Sequence, residues 1–379
     1  MNIAVNTRLL LKNKLEGIGW FSYETLRYIV NSHPEHNFYF IFDRKYDPSF
    51  IFADNVKPIV AGPATRHPFL WYFWLKFVIP KVLKKINADI FLSTDGFVSL
   101  NTKVPQVVVI HDINFYHNPE QLPFWVRKFY NKYFPKFANK AKHIGTVSEY
   151  SKMDMSNVFK INPEKISVCY NGSNNIYKPI SETEKVKVRQ KFSNGYEYFH
   201  FVGALNPRKN IPGLLKSFDL FKEKTKLPHK LIIVGSAMHL TGEIDKVYKE
   251  MKYFKDVIFT GRLNIEDLHL IYAASTALVY IPFFEGFGIP LVEAMYSEIP
   301  IISGNTTSLP EVVGEAALIC DPNDYEDVAK HMESLALDLK LRQKLIEKGK
   351  IQREKFSWEK SGQKLWKCVE KAIETINNA

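Results

Sequence analysis

The sequence predicts an α/β fold with two doubly wound parallel sheets, one in each half of the chain. Short apolar strands alternate with helical segments, and each strand ends in a turn signal, a pattern typical of parallel sheets covered on both faces. The pattern occurs twice, and the polar stretch Tyr177–Lys191 separates the two series. At 379 residues the chain also exceeds what one hydrophobic core usually supports. We therefore expect one domain at 1–178 and a second at 179–356.

The expected strands are the short apolar runs. In the first half they are Ile3–Asn6, Phe38–Phe42, Asp89–Ser93, Val107–Ile110 and His143–Val147. In the second half they are Tyr198–Val202, Lys230–Val234, Val257–Thr260, Ala277–Ile281, Ile299–Ser303 and Ala317–Cys320. Helices are expected at about Trp20–Asn31 and Ile211–Lys224. Because doubly wound domains bind ligands at the carboxyl ends of their strands, motifs directly after a strand carry the most weight.

Composition indicates an ordered globular protein, with 46% hydrophobic residues and no low-complexity stretch. We expect a cytosolic location, because the sequence shows neither the layout of a secretory signal nor an apolar run long enough to span a bilayer. The three cysteines, Cys169, Cys320 and Cys368, have no paired or metal-ligand spacing. A disulfide-free protein is therefore expected.

Nearly all of the net charge of +11 lies in the first half of the chain. Residues 1–179 contain 23 Lys and Arg against 13 Asp and Glu, whereas the remainder contains 28 against 27. This asymmetry indicates an anionic partner for the first half: phospholipid, a lipid phosphate or nucleic acid. The alternative is a lysine-rich composition that aids solubility.

The strongest motif is EGFGIPLVE, which follows an apolar strand and leads into a helix. Gly286 and Gly288 let the backbone approach a ligand closely, and the helix start offers N–H groups to a phosphate or a sugar hydroxyl. Glu285 and Glu293 bracket the turn, and carboxylates accept hydrogen bonds from the hydroxyls of a sugar or a ribose. The alternative is a plain glycine turn with a capping glutamate.

A second motif, GALNPRKNIPGLL at 203–215, follows the first strand of the second half. Arg208 and Lys209 lie on a loop bounded by Gly and Pro, directly ahead of a helix. They offer a bidentate guanidinium and a point charge to a diphosphate. The alternative for an Arg-Lys pair is a solvated surface, but its position at the end of a strand favours a diphosphate site.

These motifs, in order with LIIVGS, FTGRL and SLPEVVGEAALICDPND, resemble the nucleotide-sugar-binding half of retaining glycosyltransferase family 4, which has the GT-B fold. GIGWFSYE, HDINFYHNPE, TVSEYS and VCYNGSNNIY resemble signatures of the first domain of that family. The resemblance covers nearly the whole chain. It implies two Rossmann-like domains facing a cleft, with the acceptor side in the first, and a C-terminal helix at 357–379 that crosses back to the first domain.

The resemblance also implies a set of donor-site residues. Arg208 and Lys209 would neutralise the donor diphosphate, and Lys209 would stabilise the leaving group. Glu285 would hold hydroxyls of the donor sugar, and Glu293 would bind the ribose. Ser308 and Leu309 are weaker candidates near the diphosphate. The further donor-site residues that the resemblance implies are Gly203, Gly235, Ser236, Gly261, Arg262, Gly286, Phe287, Gly288 and Ile289.

In the first half, the resemblance implies two elements of the active site. Gly17 and Gly19 would form the loop that approaches the donor phosphate, although Glu16 stands where the family often has a small residue. His111 and Asp112 resemble the His-Asp pair of the family, with the histidine by the reacting face of the donor sugar. Retention is widely interpreted as a front-side process in which the leaving phosphate helps to deprotonate the acceptor, and Asp112 is a minor candidate nucleophile.

Two aromatic and basic segments, 67–85 and 123–142, favour peripheral contact with an anionic membrane surface. In the second, lysines recur every four residues beside aromatic side chains, as in helices that lie in a membrane interface. The alternative is a helix that packs its aromatics into the core, and Pro135 is expected to interrupt it. The residues of this face are Lys128, Lys132, Lys136, Lys140, Trp125, Phe129, Tyr133 and Phe137.

The sequence thus predicts a retaining hexosyltransferase that uses a nucleotide sugar, with GDP-mannose as first choice, and a lipid-linked or surface-polysaccharide acceptor at the inner face of the cytoplasmic membrane. A UDP-sugar donor, a GT-B sugar-nucleotide epimerase and a phosphorylase are the enzymatic alternatives. A nucleic-acid-binding protein is disfavoured, because no reading module is present and the acidic motif would repel a polyanion. No cofactor and no metal are expected, since no Asp-x-Asp follows a strand in the second half.

Overall fold

A computed structural model of the chain describes residues 1–12, 14–236 and 242–377. The chain divides into two compact units, Met1–Gly172 with Ser357–Ala379, and Ser173–Phe356. Each unit contains one all-parallel sheet with helices between its strands, which confirms the predicted α/β class with two doubly wound sheets.

The first unit contains a seven-stranded sheet in the order β3-β2-β1-β4-β5-β6-β7. The inner strands β4, β5 and β6 are buried at every residue, which explains why their sequences are continuous apolar runs rather than alternating ones. The strands are β1 (Asn2–Asn6), β2 (Asn37–Phe42), β3 (Val56–Val60), β4 (Ile90–Ser93), β5 (Gln106–Val109), β6 (His143–Thr146) and β7 (Ile166–Val168).

The helices of the first unit connect successive strands. They are α1 (Gly17–Ser32), α2 (Pro68–Phe73), α3 (Ile79–Lys85), α4 (Asn114–His117), α5 (Phe124–Lys140) and α6 (Glu149–Phe159).

Two strands of this sheet, β3 and β7, were not predicted from the sequence. Both lie at the edges of the sheet. β3 is exposed at Lys57 and Pro58, and β7 has only three residues. An edge strand buries fewer side chains and tolerates proline, so its sequence lacks the apolar run that marks an inner strand.

Segments 67–85 and 123–142 form helices that pack on each other. The first consists of α2, a π turn at Trp74–Val78, and α3. Trp71 stacks on Tyr130 of α5 with 5.8 Å between ring centroids and packs edge to face on Phe129 at 5.4 Å. The aromatic residues of both segments therefore join the two helices to each other.

Two expectations for α5 are wrong. The helix runs unbroken through Pro135, because packing against the core compensates for the hydrogen bond that proline cannot donate. Phe129 and Phe137 are buried and Tyr133 is half-buried, so of the four aromatics assigned to the membrane face only Trp125 is exposed. The lysines of that face are exposed: Lys128, Lys132, Lys136 and Lys140.

The second unit contains a six-stranded sheet in the order β10-β9-β8-β11-β12-β13. Its strands are β8 (Tyr198–Val202), β9 (Lys230–Val234), β10 (Val257–Gly261), β11 (Ala277–Tyr280), β12 (Ile301–Gly304) and β13 (Leu318–Cys320). Its helices are α7 (Glu182–Ser193), α8 (Ile211–Thr225), α9 (Glu243–Glu250), α10 (Ile265–Ala274), α11 (Ile289–Tyr296), α12 (Leu309–Val313), α13 (Tyr325–Leu337) and α14 (Leu339–Arg353).

The last helix, α15 (Trp358–Asn377), belongs to the first unit and confirms the predicted C-terminal helix that crosses back. Trp366 stacks on His33 of α1 with 3.8 Å between ring centroids. Gly362 lies so close to Tyr28 that an added Cβ would come within 2.4 Å of its ring. Close packing and ring stacking thus fix α15 against α1.

Candidate functional site

The carboxyl edge of the second sheet carries three glycines, at the ends of the adjacent strands β8, β9 and β10. Gly203 donates its N–H to the Val234 carbonyl, and Gly235 donates to the Gly261 carbonyl, at 3.0 Å each. All three glycines have positive φ, and a Cβ on Gly235 would lie 1.9 Å from the Gly203 carbonyl oxygen. This close packing requires glycine and leaves no side chain between these turns and a ligand at the strand ends.

Arg208 and Lys209 lie in a short 3₁₀ turn between β8 and α8. The next residue, Asn210, has a left-handed backbone and caps α8 by accepting a hydrogen bond from the Gly213 N–H at 3.2 Å. Its amide also donates to the Ile281 carbonyl, directly after β11, at 3.2 Å. Asn210 therefore fixes the turn that presents both cations to the edge of the sheet.

Lys209 is the centre of a buried ion-paired cluster. Its ammonium donates to the Tyr280 hydroxyl at 2.6 Å and forms a short salt bridge with the Glu285 carboxylate. Arg208 Nη1 lies 3.4 Å from the same carboxylate oxygen. Lys209 and Glu285 are each 7% exposed, whereas the Arg208 side chain is 26% exposed. Arg208 is thus the member of the cluster that most reaches solvent.

Glu285 is held in its ionised form. Burial raises the pKa of its carboxyl, but the charges of Lys209 and Arg208 more than offset this, and the net pKa is lowered. Its backbone is fixed as well, because its N–H donates to Thr307 Oγ1 at 3.1 Å and its carbonyl accepts from Ser308 Oγ at 2.9 Å. An ionised carboxylate on a fixed turn is suited to accept hydrogen bonds from sugar hydroxyls.

Glu293, in the second turn of α11, has the opposite electrostatics. Its Oε2 accepts a hydrogen bond from the Tyr272 hydroxyl at 2.7 Å. Burial raises the pKa of its carboxyl to about 7, and hydrogen bonds from Tyr272 and Tyr177 offset this only in part. The two glutamates of EGFGIPLVE therefore differ: one is paired with cations and ionised, and the other holds its proton up to neutral pH.

The other residues of this motif form the turn into α11. Gly288 directly precedes the helix with a φ of 97°, and Ile289 is its first residue. The Phe287 ring is buried against Phe356 with 5.5 Å between centroids. Gly286 is buried beside it.

The predicted residues Ser236 and Arg262 follow β9 and β10 and are exposed. Leu309 is the fully buried first residue of α12.

His111 and Asp112 follow β5 at the carboxyl edge of the first sheet. His111 Nε2 lies 3.0 Å from the Thr94 carbonyl oxygen, and Phe21 of α1 packs edge to face on its ring at 4.9 Å. Burial lowers the pKa of His111, so the ring is neutral at pH 7, with its proton on Nε2 and a lone pair on Nδ1. Asp112 Oδ1 accepts from the Asn114 N–H at 2.9 Å, which fixes the carboxylate.

The expected glycine loop ahead of the first helix is wrong. Gly17 and Gly19 lie in the first turn of α1, which begins three residues before Trp20. Gly19 is buried, and an added Cβ would lie 3.2 Å from the Leu15 side chain. Gly17 is exposed, so this position presents the N–H groups of a helix N-terminus rather than a loop.

The structure brings Arg208, Lys209 and Glu285 into one cluster, and their roles in catalysis stay predictions. Two members of the surroundings were missed from the sequence. Tyr280 is the last residue of β11 and is fully buried. A tyrosine at the end of an apolar strand is a sequence signal for a buried hydroxyl that needs a polar partner. Thr307 has a positive φ of 53°, which is a strained conformation for a β-branched residue. A threonine in the sequence gives no sign of such a conformation.

Two cations beside glycine turns suit a nucleotide diphosphate, and two carboxyls eight residues apart suit the hydroxyls of a sugar and a ribose. These groups lie at the strand ends of a doubly wound sheet, in a chain with a second such sheet and a C-terminal helix that returns to it. Fold and site together define the class of protein: a glycosyltransferase of the GT-B fold.

Comparison with known proteins gives the family. The model "Glycosyltransferase Family 4" matches residues 17–174, and the model "Glycosyl transferases group 1" matches residues 182–352. O-antigen chain mannosyltransferase B from Escherichia coli is 32% identical over 254 residues, which cover 67% of this chain and 67% of that protein. The chain therefore belongs to glycosyltransferase family 4.

Other relatives and structures are consistent with this assignment. O-antigen chain mannosyltransferase RfbU from Salmonella typhimurium is 27% identical over 74% of this chain and 75% of its own. Anabaena HepE in complex with UDP and glucose has a TM-score of 0.73 at 17% identity, covering 97% of this chain and 99% of its own. Sucrose-phosphate synthase from Thermosynechococcus elongatus has a TM-score of 0.78 at 15% identity, covering 100% of both chains. These structural similarities show the GT-B fold.

In the part of the chain that the structure describes, no three His, Cys, Asp or Glu side chains are grouped so that they could hold a metal ion. Over the same residues, every helix is too short or too polar to cross a membrane.

Proposed function

We propose that this glycosyltransferase transfers mannose from GDP-mannose, with retention of configuration, to a lipid-linked or oligosaccharide acceptor of a bacterial surface polysaccharide. The relatives that support mannose and the polysaccharide are named as O-antigen mannosyltransferases. The observation that carries the proposal is the Lys209–Glu285 salt bridge with Arg208 beside it. It places cations for a diphosphate against a carboxylate for sugar hydroxyls.

Each member of this cluster has one role in the proposed reaction. Arg208, the more exposed cation, binds the diphosphate, and Lys209 neutralises the charge that develops on the leaving phosphate. Glu285 accepts hydrogen bonds from hydroxyls of the donor sugar and so orients the sugar. The leaving phosphate oxygen accepts the proton of the acceptor hydroxyl as that hydroxyl attacks the same face, so no protein nucleophile is required. Fixed charges of this kind act where charge develops in the transition state.

The first unit contributes two further groups to the proposed reaction. The ring of His111, fixed by the Thr94 carbonyl, is neutral and therefore adds no positive charge to the reaction. The first turn of α1, exposed at Gly17 and Ile18, offers N–H groups that suit an anion.

We propose that the reaction needs no resident metal, because Arg208 and Lys209 supply the positive charge that a metal ion supplies to a diphosphate in other transferases. Transfer then continues at full rate in excess EDTA. A loss of activity in EDTA that Mg²⁺ restores would contradict this part of the proposal.

The experiment that tests the donor is a thermal-shift screen of GDP-mannose, UDP-glucose, UDP-galactose, dTDP-glucose and ADP-glucose, followed by transfer assays with the sugars that bind. We expect GDP-mannose to raise the unfolding temperature most and the product to carry an α-linkage by NMR. A response to UDP-sugars and none to GDP-mannose would replace mannose by a UDP-hexose. Release of UDP from a UDP-sugar without an acceptor would favour the epimerase reading.

We also propose that the first unit binds the anionic inner face of the cytoplasmic membrane, where a lipid-linked acceptor would lie. Three phenylalanines spaced four residues apart, Phe69, Phe73 and Phe77, are 69%, 40% and 44% exposed along α2 and the π turn that follows it. The lysine face of α5 supplies positive charge on the helix that packs against α2 through Trp71. Exposed aromatics beside lysines are typical of helices in a membrane interface.

A further inference from the structure

Three neighbouring strands of the first sheet are followed by side chains that can titrate or carry charge. Arg8, Asp95 and His111 each lie two residues beyond the last residue of β1, β4 and β5, which are adjacent in the sheet. Because the carboxyl ends of parallel strands meet at one edge, the three lie together where doubly wound domains bind ligands. Neither Arg8 nor Asp95 has a role in the donor chemistry proposed above.

Asp95 holds Arg8 in a fixed position. Arg8 Nε donates to Asp95 Oδ2, and Asp95 Oδ1 accepts from Asn6 Nδ2 at 2.8 Å and from Ser93 Oγ at 2.9 Å. The guanidinium carbon lies 4.1 Å from the centroid of the Phe97 ring. The side chains of Arg8 and Asp95 are 9% and 3% exposed. A buried ion pair contributes little net stability, and here it fixes the position of the guanidinium.

The Arg8 guanidinium and the Tyr130 hydroxyl of this cluster can still donate hydrogen bonds to a ligand. Among the residues that the structure describes, neither terminal nitrogen of Arg8 has a hydrogen-bond partner, and neither does the Tyr130 hydroxyl. The Tyr130 ring packs edge to face on Phe97 with 6.1 Å between centroids, and the Arg8 guanidinium lies over the same Phe97 ring, so the phenol belongs to this cluster. The ring of Tyr130 stacks on Trp71, so its hydroxyl is held at a fixed position. Neither group is among the buried polar atoms without a partner in the described part of the chain, so both reach solvent from a largely buried cluster and can donate to a ligand at this edge.

The charges of the cluster favour a neutral ligand over an anion. Asp95 neutralises Arg8, Asp112 adds a second carboxylate, and burial lowers the pKa of His111 so that its ring stays uncharged. A phosphate would therefore meet an excess of negative charge. A neutral sugar, in contrast, uses guanidinium and phenol donors, a carboxylate acceptor and aromatic surface.

We propose that Arg8 and Tyr130 form the binding subsite for the neutral terminal sugar of the acceptor, with Asp112 accepting a hydrogen bond from one of its hydroxyls. The assignment rests on the proposed glycosyl transfer, because the acceptor supplies the neutral sugar. In this subsite the terminal nitrogens of Arg8 and the Tyr130 hydroxyl donate to the sugar. Asp95 holds Arg8 in position and does not itself contact the sugar.

The test is binding of α-mannobiose, maltose and lactose to the full chain without donor, measured by saturation-transfer NMR and calorimetry. We expect saturable binding of one disaccharide to the wild type. Tyr130→Phe removes a hydroxyl without disturbing a hydrogen bond among the described residues, and it should weaken that binding about tenfold. Tyr133→Phe on the same helix is the matched control and should bind as the wild type does.

Arg8→Met combined with Asp95→Asn removes both charges together, so that no unpaired carboxylate is left buried, and it should weaken disaccharide binding about a hundredfold. Thermal unfolding and the nucleotide-sugar shift of this double variant check that its fold is intact. Inorganic phosphate should not compete with the disaccharide.

Several outcomes would overturn the subsite. They are absence of disaccharide binding to the wild type, unchanged affinity in Tyr130→Phe and in the double variant, or displacement of the sugar by phosphate at lower concentration. The proposed donor fails separately: a wild type that binds the disaccharide through Arg8 and Tyr130 but transfers no mannose from GDP-mannose would refute the donor and leave the subsite standing.

Discussion

The carboxyl edges of the two sheets are built alike and charged differently. At the second edge, Arg208 and Lys209 share one ionised carboxylate, Glu285, and burial raises the pKa of Glu293 to about 7. At the first edge, Arg8 is paired with Asp95, and the further carboxylate of Asp112 follows the neighbouring strand β5. The same topology therefore offers positive charge in one unit and negative charge in the other, which suits an anionic donor and a neutral acceptor respectively.

The net charge of the chain gives a different picture from these edges. The first half carries the larger excess of Lys and Arg, yet its strand-end cluster has an excess of carboxylates. The lysines of α5 account for part of that excess, and they lie on an exposed helix face. The net charge of a sequence segment therefore mainly reflects its exposed side chains. The charge of a binding site depends instead on which charged side chains the fold brings together.

The largest expected effect comes from removing the buried cation of the second edge. Lys209→Met should lower kcat/KM for transfer about a thousandfold, because it removes the charge that we assign to the leaving phosphate. Lys187→Met, an exposed lysine of α7 in the same unit, is the control and should have no effect. Steady-state kinetics and thermal unfolding of both variants separate loss of catalysis from loss of fold. A Lys209→Met enzyme within tenfold of the wild type would contradict the assignment.

The next effect separates the two glutamates of the second edge. Glu285→Ala should lower kcat about a hundredfold by loosening the sugar, while the affinity for GDP is kept or rises, because Arg208 and Lys209 lose their internal partner. Glu293→Ala should mainly weaken GDP binding. Calorimetry with GDP and single-turnover transfer measure the two quantities. Equal losses of GDP affinity in both variants would remove the distinction between a sugar carboxylate and a ribose carboxylate.

How far the sequence predicts this site depends on how far apart the partners are. The EGFGIPLVE turn is local, and its position between a strand and a helix identified it, whereas the family resemblance implied the strand-end glycines. The pairing of Arg8 with Asp95 joins residues from two loops far apart in the chain, and nothing local to either residue reveals it. The same holds for Tyr280, whose role depends on Lys209.

Some expectations failed because one sequence pattern fits two structures. Aromatics spaced four residues apart in α5 fit both a membrane face and a buried face, and packing of Phe129 and Phe137 into the core decides between them. The edge strand β3 was missed because its exposed side chains leave no apolar run. Sequence periodicity therefore located the buried strands, and tertiary packing determined the rest.

A third prediction concerns the basic surface of the first unit. Replacing Phe69, Phe73 and Phe77 together by serine should weaken binding to phosphatidylglycerol vesicles about thirtyfold, because each ring loses roughly 0.7 kcal/mol of apolar contact with the membrane. Phe254→Ser, an exposed phenylalanine of the second unit, is the control. Vesicle sedimentation at low salt measures the effect. Equal binding of the triple variant and the wild type would show that these three phenylalanines do not form a membrane-binding surface.

The smallest expected effect is a pH dependence of donor binding that only the second edge should show. In the free protein, burial raises the pKa of Glu293 to about 7, so the carboxyl is mostly protonated below that pH. A ribose hydroxyl donates best to the ionised form, so binding must release the proton, and affinity for GDP should rise about tenfold between about pH 6 and pH 8. In Glu293→Gln the side chain does not titrate. The increase in GDP affinity between about pH 6 and pH 8 should therefore be smaller and should reflect only the titration of the GDP phosphates. Calorimetry of both proteins across this range measures the difference. Identical pH profiles would mean that Glu293 does not meet the ribose in its ionised form, and the division of roles between the two glutamates would then rest on Glu285 alone.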